Sequence, residues 1–252
     1  MKADTRMRIA SMVIALAVGF SFASLASSQP AVPANTAPGD WSAHTLIHIS
    51  PAATASPTGL SPTQIRTAYN LPSTGGQGTI AIVDAYDDPT VLNDLNLFSS
   101  RFGLPSLSDK NFEKHMMASS ISADSGWALE ISLDVQWAHV VAPNAKILLV
   151  EATSNSLASL LAAVDYARSR TDVVAVSMSW GGSEFSTESS YDYHFTGSHG
   201  AVFFASSGDS GAGVLWPAVS SNVVGVGGTR LNFASGDSVA SETAWSGSGG
   251  CI

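Results

Sequence analysis

The sequence predicts an α/β fold with a mainly parallel central sheet covered by helices on both faces. Three observations predict it. Short, continuous apolar runs recur along the chain, as expected for strands buried on both sides. They alternate with longer segments of helical periodicity, the pattern of strand–helix–strand units. The loops that follow the runs are rich in Gly, Ser, Asp and Trp, and ligands of open α/β sheets bind at that end of the strands.

Taken in order, the globular part begins near Leu60, at the segment 60–72. Thr79–Ala85 (TIAIVDA) reads as a buried strand, and 89–102 as an amphipathic helix carrying Val91, Leu92, Leu95 and Phe98. A weaker strand is expected from Phe112 to Ala118. Next comes a helix from Ser125, apolar on nearly every side and stopped by Pro143. Lys146–Glu151 is a strand, Ser156–Arg168 a helix and Val173–Ser179 a strand. A helix is expected over Ser186–His199, with strands at Ala201–Ser206 and Asn222–Gly228. Three strand-end loops stand out: Asp84-AYDDP, Ser177-MSWGG and Ser206-SGDSG.

Ahead of this body, Lys2, Arg6 and Arg8 precede an apolar, small-residue run from Ile9 to about Ala26, followed by Ser27, Ser28 and Gln29. A basic start, a short apolar core and small residues at the end describe a secretory signal peptide, with an uncleaved membrane anchor as the alternative. The expected organisation is a signal peptide over 1–28, a Pro-, Ala-, Ser- and Thr-rich linker or pro-segment remnant over 29–60, and a globular, partial domain over 61–252. A secreted or extracellular location follows, with the periplasm as a variant, and no stable membrane association after cleavage. The 20 acidic and 11 basic residues give a net charge of −9, which disfavours nucleic acid and anionic membranes as partners. The one cysteine, Cys251, supports no internal disulfide framework.

The chemistry centres on Glu130 and Asp134. Residues four apart share one helix face, so these carboxyls project side by side. The helix contains no Lys or Arg, and the same face carries Trp127 and Trp137. An isolated pair of this kind is ordinarily a solvated helix edge. In an apolar setting, two like charges raise at least one pKa and can share a proton, which suits a general base. Asp209, between Gly208 and Gly211 after a strand, is either a loop-satisfying carboxyl or, if protonated, a donor to an oxyanion.

Two protease readings fail on residues. Gly208-Asp209-Ser210-Gly211 matches a chymotrypsin-type nucleophile motif, but that fold is all-β and needs an upstream His in an Ala-Ala-His-Cys setting. Asp84 ends its strand as a subtilisin triad Asp does, yet the expected His-Gly-Thr-His is missing. His115 and His139 both lack that context.

Lined up together, Asp84, Glu130/Asp134, Ser177-MSWGG and Ser206-SGDSG resemble the sedolisin (serine-carboxyl peptidase) family, in which a Glu replaces the subtilisin His. The resemblance runs from about Leu60 to Gly250. It includes Ala142-Pro143, Trp216-PA, Val226-GGTRL and Glu242-TAWSGSGG. It implies a three-layer subtilisin-like fold, incomplete at the C-terminus, and an endopeptidase acting in acid. It further implies that Glu130 is the general base, that Asp134 holds it and shares its proton, and that Asp209 supplies the oxyanion hole. Ser179, Trp180, Gly181 and Gly182 would wall the substrate cleft, with Trp180 linked to Asp84. A carboxylate base with an ordinary pKa near 4 works in acid, where His would be protonated.

No Gly-Thr-Ser string occurs, so the family's Gly-Thr-Ser-x-x-x-Pro nucleophile motif is missing from these 252 residues. The expectation is therefore a C-terminally truncated domain, inactive by itself, or alternatively a pseudo-protease that binds peptides. The family's calcium site would lie beyond residue 252, so no metal or other cofactor is expected. Peptide or protein substrates are the expected partners, the chain is expected to be a monomer, and apolar surface left by an unpaired last strand is expected to limit its solubility.

Overall fold

The computed structural model describes residues 39, 41–45, 59–72, 74–197, 199–235 and 237–250. The segment 1–28, expected to be a signal peptide, lies outside the described residues. The body is a six-stranded, all-parallel sheet in the order β3–β4–β2–β5–β7–β8. These strands are β2 (Thr79–Ala85), β3 (Phe112–Met116), β4 (Lys146–Ala152), β5 (Val173–Met178), β7 (Val202–Ser206) and β8 (Val223–Val226). Two-residue strands β1 (His44–Thr45) and β6 (Trp180–Gly181) pair with each other. An exposed hairpin, β9 (Thr229–Phe233) and β10 (Val239–Ala244), lies beyond the sheet.

Successive strand residues face opposite sides, and the side chains divide accordingly. Ile80, Ile82, Ile147 and Leu149 pack with helix α2 (Val91–Phe102) and helix α3 (Ser125–Val141) in one core. Ala81, Val83, Leu148 and Val150 pack on the other side with helix α4 (Leu157–Ser169) and Phe203. A short helix α1 (Pro62–Ala68) adds Ile65 to the first core. The result is the expected three-layer α/β arrangement.

Helix α3 is set by its ends. The Asp124 carboxylate accepts from the backbone N–H groups of Gly126 and Trp127, both at 3.0 Å, and caps the start. The helix stops at Val141, ahead of Pro143. It is buried on most of its circumference, including Trp127, Ile131, Val135, Trp137 and Ala138, because it is covered by the sheet, by α2 and by α1. Capped and wedged in this way, it holds Glu130 and Asp134 against the sheet rather than in water.

Three segments differ from the sequence expectation. The helix expected over 186–199 is a 3₁₀ helix, Glu188–Phe195. The β9–β10 hairpin was not foreseen, since its exposed strands contain no continuous apolar run. Trp41–Thr45, assigned to the linker, is packed into the body: Trp41 is 5% exposed and Ala43 fully buried.

Candidate active site

Three buried carboxylates meet at the carboxyl ends of the strands, on the α3 side of the sheet. Asp84 closes β2 and Glu151 closes β4, and the parallel register sets them directly opposite each other. Both are 0% exposed, as is Glu130, and Asp134 is 8% exposed. Asp134 faces Asp84 from α3, close enough for the two to repel. Ser179, just past β5, gives Asp134 a side-chain hydrogen bond.

Cations are scarce here. Lys114 of β3 has its ammonium 3.1 Å from Glu151 Oε1, and it also contacts Asp87 and the Asp88 carbonyl. The Asp88 backbone N–H donates to the same Glu151 oxygen at 3.0 Å, and the Ser132 hydroxyl, on α3, donates to Asp88 at 2.9 Å. Both Asp84 oxygens, Asp134 Oδ2 and Glu151 Oε2 are buried without a hydrogen-bond partner among the described residues. An ionised carboxylate in that setting is costly, so the protonated form is favoured.

The pKa directions follow. Burial, then the charges of Asp134 and Glu151, push Asp84 well above the ordinary carboxylate range. Burial raises Asp134 to about 7 against the opposing Ser179 hydrogen bond. Burial raises Glu151 to about 7 although the Asp88 N–H and Lys114 oppose it. Buried acids that face one another hold protons into the neutral range, and such a cluster can share and relay them.

Asp209 lies half-buried in the loop after β7, on the same edge of the sheet. Gly208 has φ +121° and Gly211 φ +80°, conformations that side chains rarely adopt. The loop is stitched to the chain's last described stretch: Gly249 N–H donates to the Gly208 carbonyl at 2.7 Å, and Gly211 N–H to Gly247 at 2.8 Å. This bracing fixes where Asp209 sits. Trp180 is fully buried, and its indole N–H donates to the Val83 carbonyl at 2.8 Å, a backbone contact rather than one to the Asp84 carboxylate. Gly181 and Gly182 continue the strand end, and a Cβ on Gly182 would come 2.5 Å from the Trp41 ring.

Glu151 and Lys114 are residues of this candidate site that the sequence reading passed over. A signal for Glu151 was present: Thr79–Ala85 (TIAIVDA) and Lys146–Ala152 (KILLVEA) each end in an acid followed by alanine, and the register superposes them. Of the two histidines considered, His139 is buried with Nε2 2.7 Å from the Pro105 carbonyl, and burial lowers its pKa. His115 stacks on Tyr166, with ring centroids 3.6 Å apart. Among the described residues, no group of three or more His, Cys, Asp or Glu is arranged to hold a metal ion, and no helix is long and apolar enough to cross a membrane.

A scan against protein-family models matches residues 112–249 to the subtilase family. The chain belongs to the subtilase family. Within it the chain is sedolisin-like. It is 25% identical over 214 residues to sedolisin of Pseudomonas sp. (strain 101), covering 74% of this chain and 36% of that protein. Among solved structures it is similar to Pseudomonas sedolisin, a serine-carboxyl proteinase complexed with two molecules of pseudo-iodotyrostatin. There the TM-score is 0.63 and the identity 28%, over 73% of this chain and 57% of that one. The chain thus spans little more than a third of the curated relative's length. The subtilisin-like fold and the membership of a peptidase family expected from the motifs are both shown.

Proposed function

We propose that this subtilase-family chain carries the acid–base half of a serine-carboxyl endopeptidase site that works in acid, outside the cell. In this reading Glu130 takes the proton from an attacking serine hydroxyl as the serine oxygen adds to the peptide carbonyl. It then returns that proton to the amine that leaves. Water repeats the path in reverse on the acyl ester, releasing the second product and the serine. Asp134 remains protonated below its raised range and donates a hydrogen bond to Glu130, so Glu130 is the member of the pair that ionises in acid. Asp209 would, in its protonated form, donate to the oxyanion of the tetrahedral intermediate. The serine itself is assigned to sequence outside these 252 residues.

The observation that carries the reading is the burial of Glu130 and Asp134 on one helix face that contains no Lys or Arg, opposite Asp84. The decisive measurement is peptide hydrolysis near pH 4 by the longest chain its gene encodes, with and without Glu130→Gln. Loss of a general base should lower kcat roughly 100- to 10,000-fold while the circular-dichroism spectrum and melting temperature hold. Undiminished hydrolysis by the variant would sink the assignment of Glu130.

A further inference from the structure

Among the described residues, Asn70, Tyr86 and Asp237 are the non-glycine residues with positive φ. Asn and Asp visit that conformation readily, whereas a bulky aromatic residue there is an outlier. Tyr86, at φ +65°, stands two residues after Asp84, in the loop that leaves β2. Strain of this kind persists only where the surroundings hold it, and it gathers at functional sites. Three contacts hold it here. The Tyr86 N–H donates to the Ala152 carbonyl at 2.9 Å, and its phenol donates to Asn155 Oδ1 at 3.1 Å. Its half-buried ring meets Trp127, with centroids 6.2 Å apart and the planes tilted by 54°.

Past this turn, Asp87 and Asp88 run against helix α3 and the stretch that leads into it. The Asp87 N–H donates to the Ser122 carbonyl at 3.1 Å, and Asp87 bridges Ala123, the residue before the Asp124 cap. The Asp88 carboxylate accepts from the Ser132 hydroxyl at 2.9 Å, while its own N–H donates to Glu151 at 3.0 Å. One short loop therefore grips the helix at three points: ahead of its cap, at Trp127 and at Ser132. Glu130 lies between the last two. A ring abuts the helix three residues before it, and a hydroxyl is tied down two residues after it.

We propose that loop 86–88 is a clamp on helix α3 that fixes Glu130 at the carboxyl end of the sheet, with Tyr86 as its positioning residue. Tyr86 touches no reacting group in this assignment; it acts through the Trp127 ring and through the turn it holds. Glycine would make the same turn without strain, so the ring and the phenol account for the tyrosine. The effect on hydrolysis rests on the peptidase reading; the hold on the helix does not.

The test joins hydrogen–deuterium exchange to steady-state peptide hydrolysis near pH 4, both on the longest chain the gene encodes. Tyr86→Gly keeps the left-handed turn and removes the ring and the phenol. Amides of residues 128–134 should then exchange about ten-fold faster, while those of helix α4 keep their rates. A misplacement of about 1 Å can cost about 100-fold in rate, so kcat should fall by about ten- to 100-fold. KM should stay within about three-fold, because the helix and not the bound peptide has moved. Tyr86→Phe keeps the ring on Trp127 and should hold kcat within about three-fold of the unaltered chain. Ser132→Ala cuts the grip beyond Glu130 and should change exchange and kcat in the same directions, by about three-fold. It guards against a folding failure of Tyr86→Gly. Unchanged exchange over 128–134 in the folded variants, an equal acceleration in α4, or failure of both variants to fold would each overturn the proposal. So would a loss of kcat/KM carried by KM alone, which would put Tyr86 on the substrate. If exchange rises as expected but the unaltered chain hydrolyses nothing, the peptidase reading fails and the clamp stands. If the unaltered chain hydrolyses peptides and Tyr86→Gly matches its kcat, the positioning role fails and the peptidase reading stands.

Discussion

The two ends of the same parallel sheet treat carboxylates in opposite ways. At the amino ends of the strands, Glu113 accepts from Arg170 at 2.8 and 3.2 Å and is also paired with Lys146. Asp172 accepts from the Thr79 hydroxyl at 2.8 Å and from Arg170 at 3.1 Å. Hydrogen bonds and cations there pull Glu113 down to about 2 and lower Asp172 as well. At the carboxyl ends, Asp84, Asp134 and Glu151 face one another, with Lys114 paired to Glu151, and all three are pushed upward. The first end resembles a stabilised surface, and the second stores protons inside the protein. Costly buried acids are kept where chemistry needs them, and in this architecture that is the carboxyl edge of the sheet.

That contrast gives opposite dependences on pH. A carboxyl whose folded pKa exceeds its unfolded value binds more protons in the folded state, so its contribution is complete below pH 4 and is lost as pH rises through the folded value. For Asp134, raised from 3.8 to about 7, the loss on full ionisation is on the order of 4 kcal/mol, before any sharing with its neighbours. Glu151 acts in the same sense and Asp84 extends the loss further upward. The melting temperature should therefore fall steadily between pH 5 and about pH 8, and Asp84→Asn should flatten the fall. A melting temperature that rises over this interval would mean that the cluster is ionised in the native state.

Much of this was legible in the sequence, and the rest was hidden for identifiable reasons. Thr79–Ala85, Lys146–Glu151 and Val173–Ser179 announce buried parallel strands because both faces are covered, which leaves apolar runs without alternation. Glu130 and Asp134 were legible because a helix has a fixed period and its own stretch contained no cation. Glu151 was hidden because its partners, Asp84 and Lys114, come from other strands, and only the register reveals them. Trp41–Thr45 was hidden for a related reason: its Pro-, Ala- and Ser-rich surroundings carry no periodicity, and its bonds reach residues more than a hundred positions away. Long-range pairing leaves no local trace.

Lys114 is the next point at which to break the contrast. Lys114→Met would leave Glu151, 0% exposed, without its cation. Removing one partner of a buried pair costs about 3 kcal/mol when the other is ionised. Since Glu151 titrates near 7, the loss should be largest at pH 8 and shrink toward pH 5, where the carboxyl is protonated with or without the lysine. Urea unfolding at the two pH values measures the difference, and an equal loss at both would show that Lys114 acts through packing or Asp87 rather than through the charge of Glu151.

The same operation at the amino ends should give the smaller effect and the reverse sign. Arg170→Met removes the guanidinium shared by Glu113 and Asp172, but these side chains are 24–41% exposed, so water and salt replace most of what is lost. About 1 kcal/mol is expected at pH 7. Glu113 has a depressed folded pKa, so its contribution is present above its unfolded value of 4.5 and is lost as pH falls toward 2. The cost of Arg170→Met should therefore decline in acid, over the range in which Lys114→Met has already become mild. Added salt should also reduce it, because exposed pairs are screened where the buried cluster is not. If Arg170→Met instead proved the costlier change at pH 8, the division of the sheet into a stabilising end and a proton-holding end would have to be abandoned.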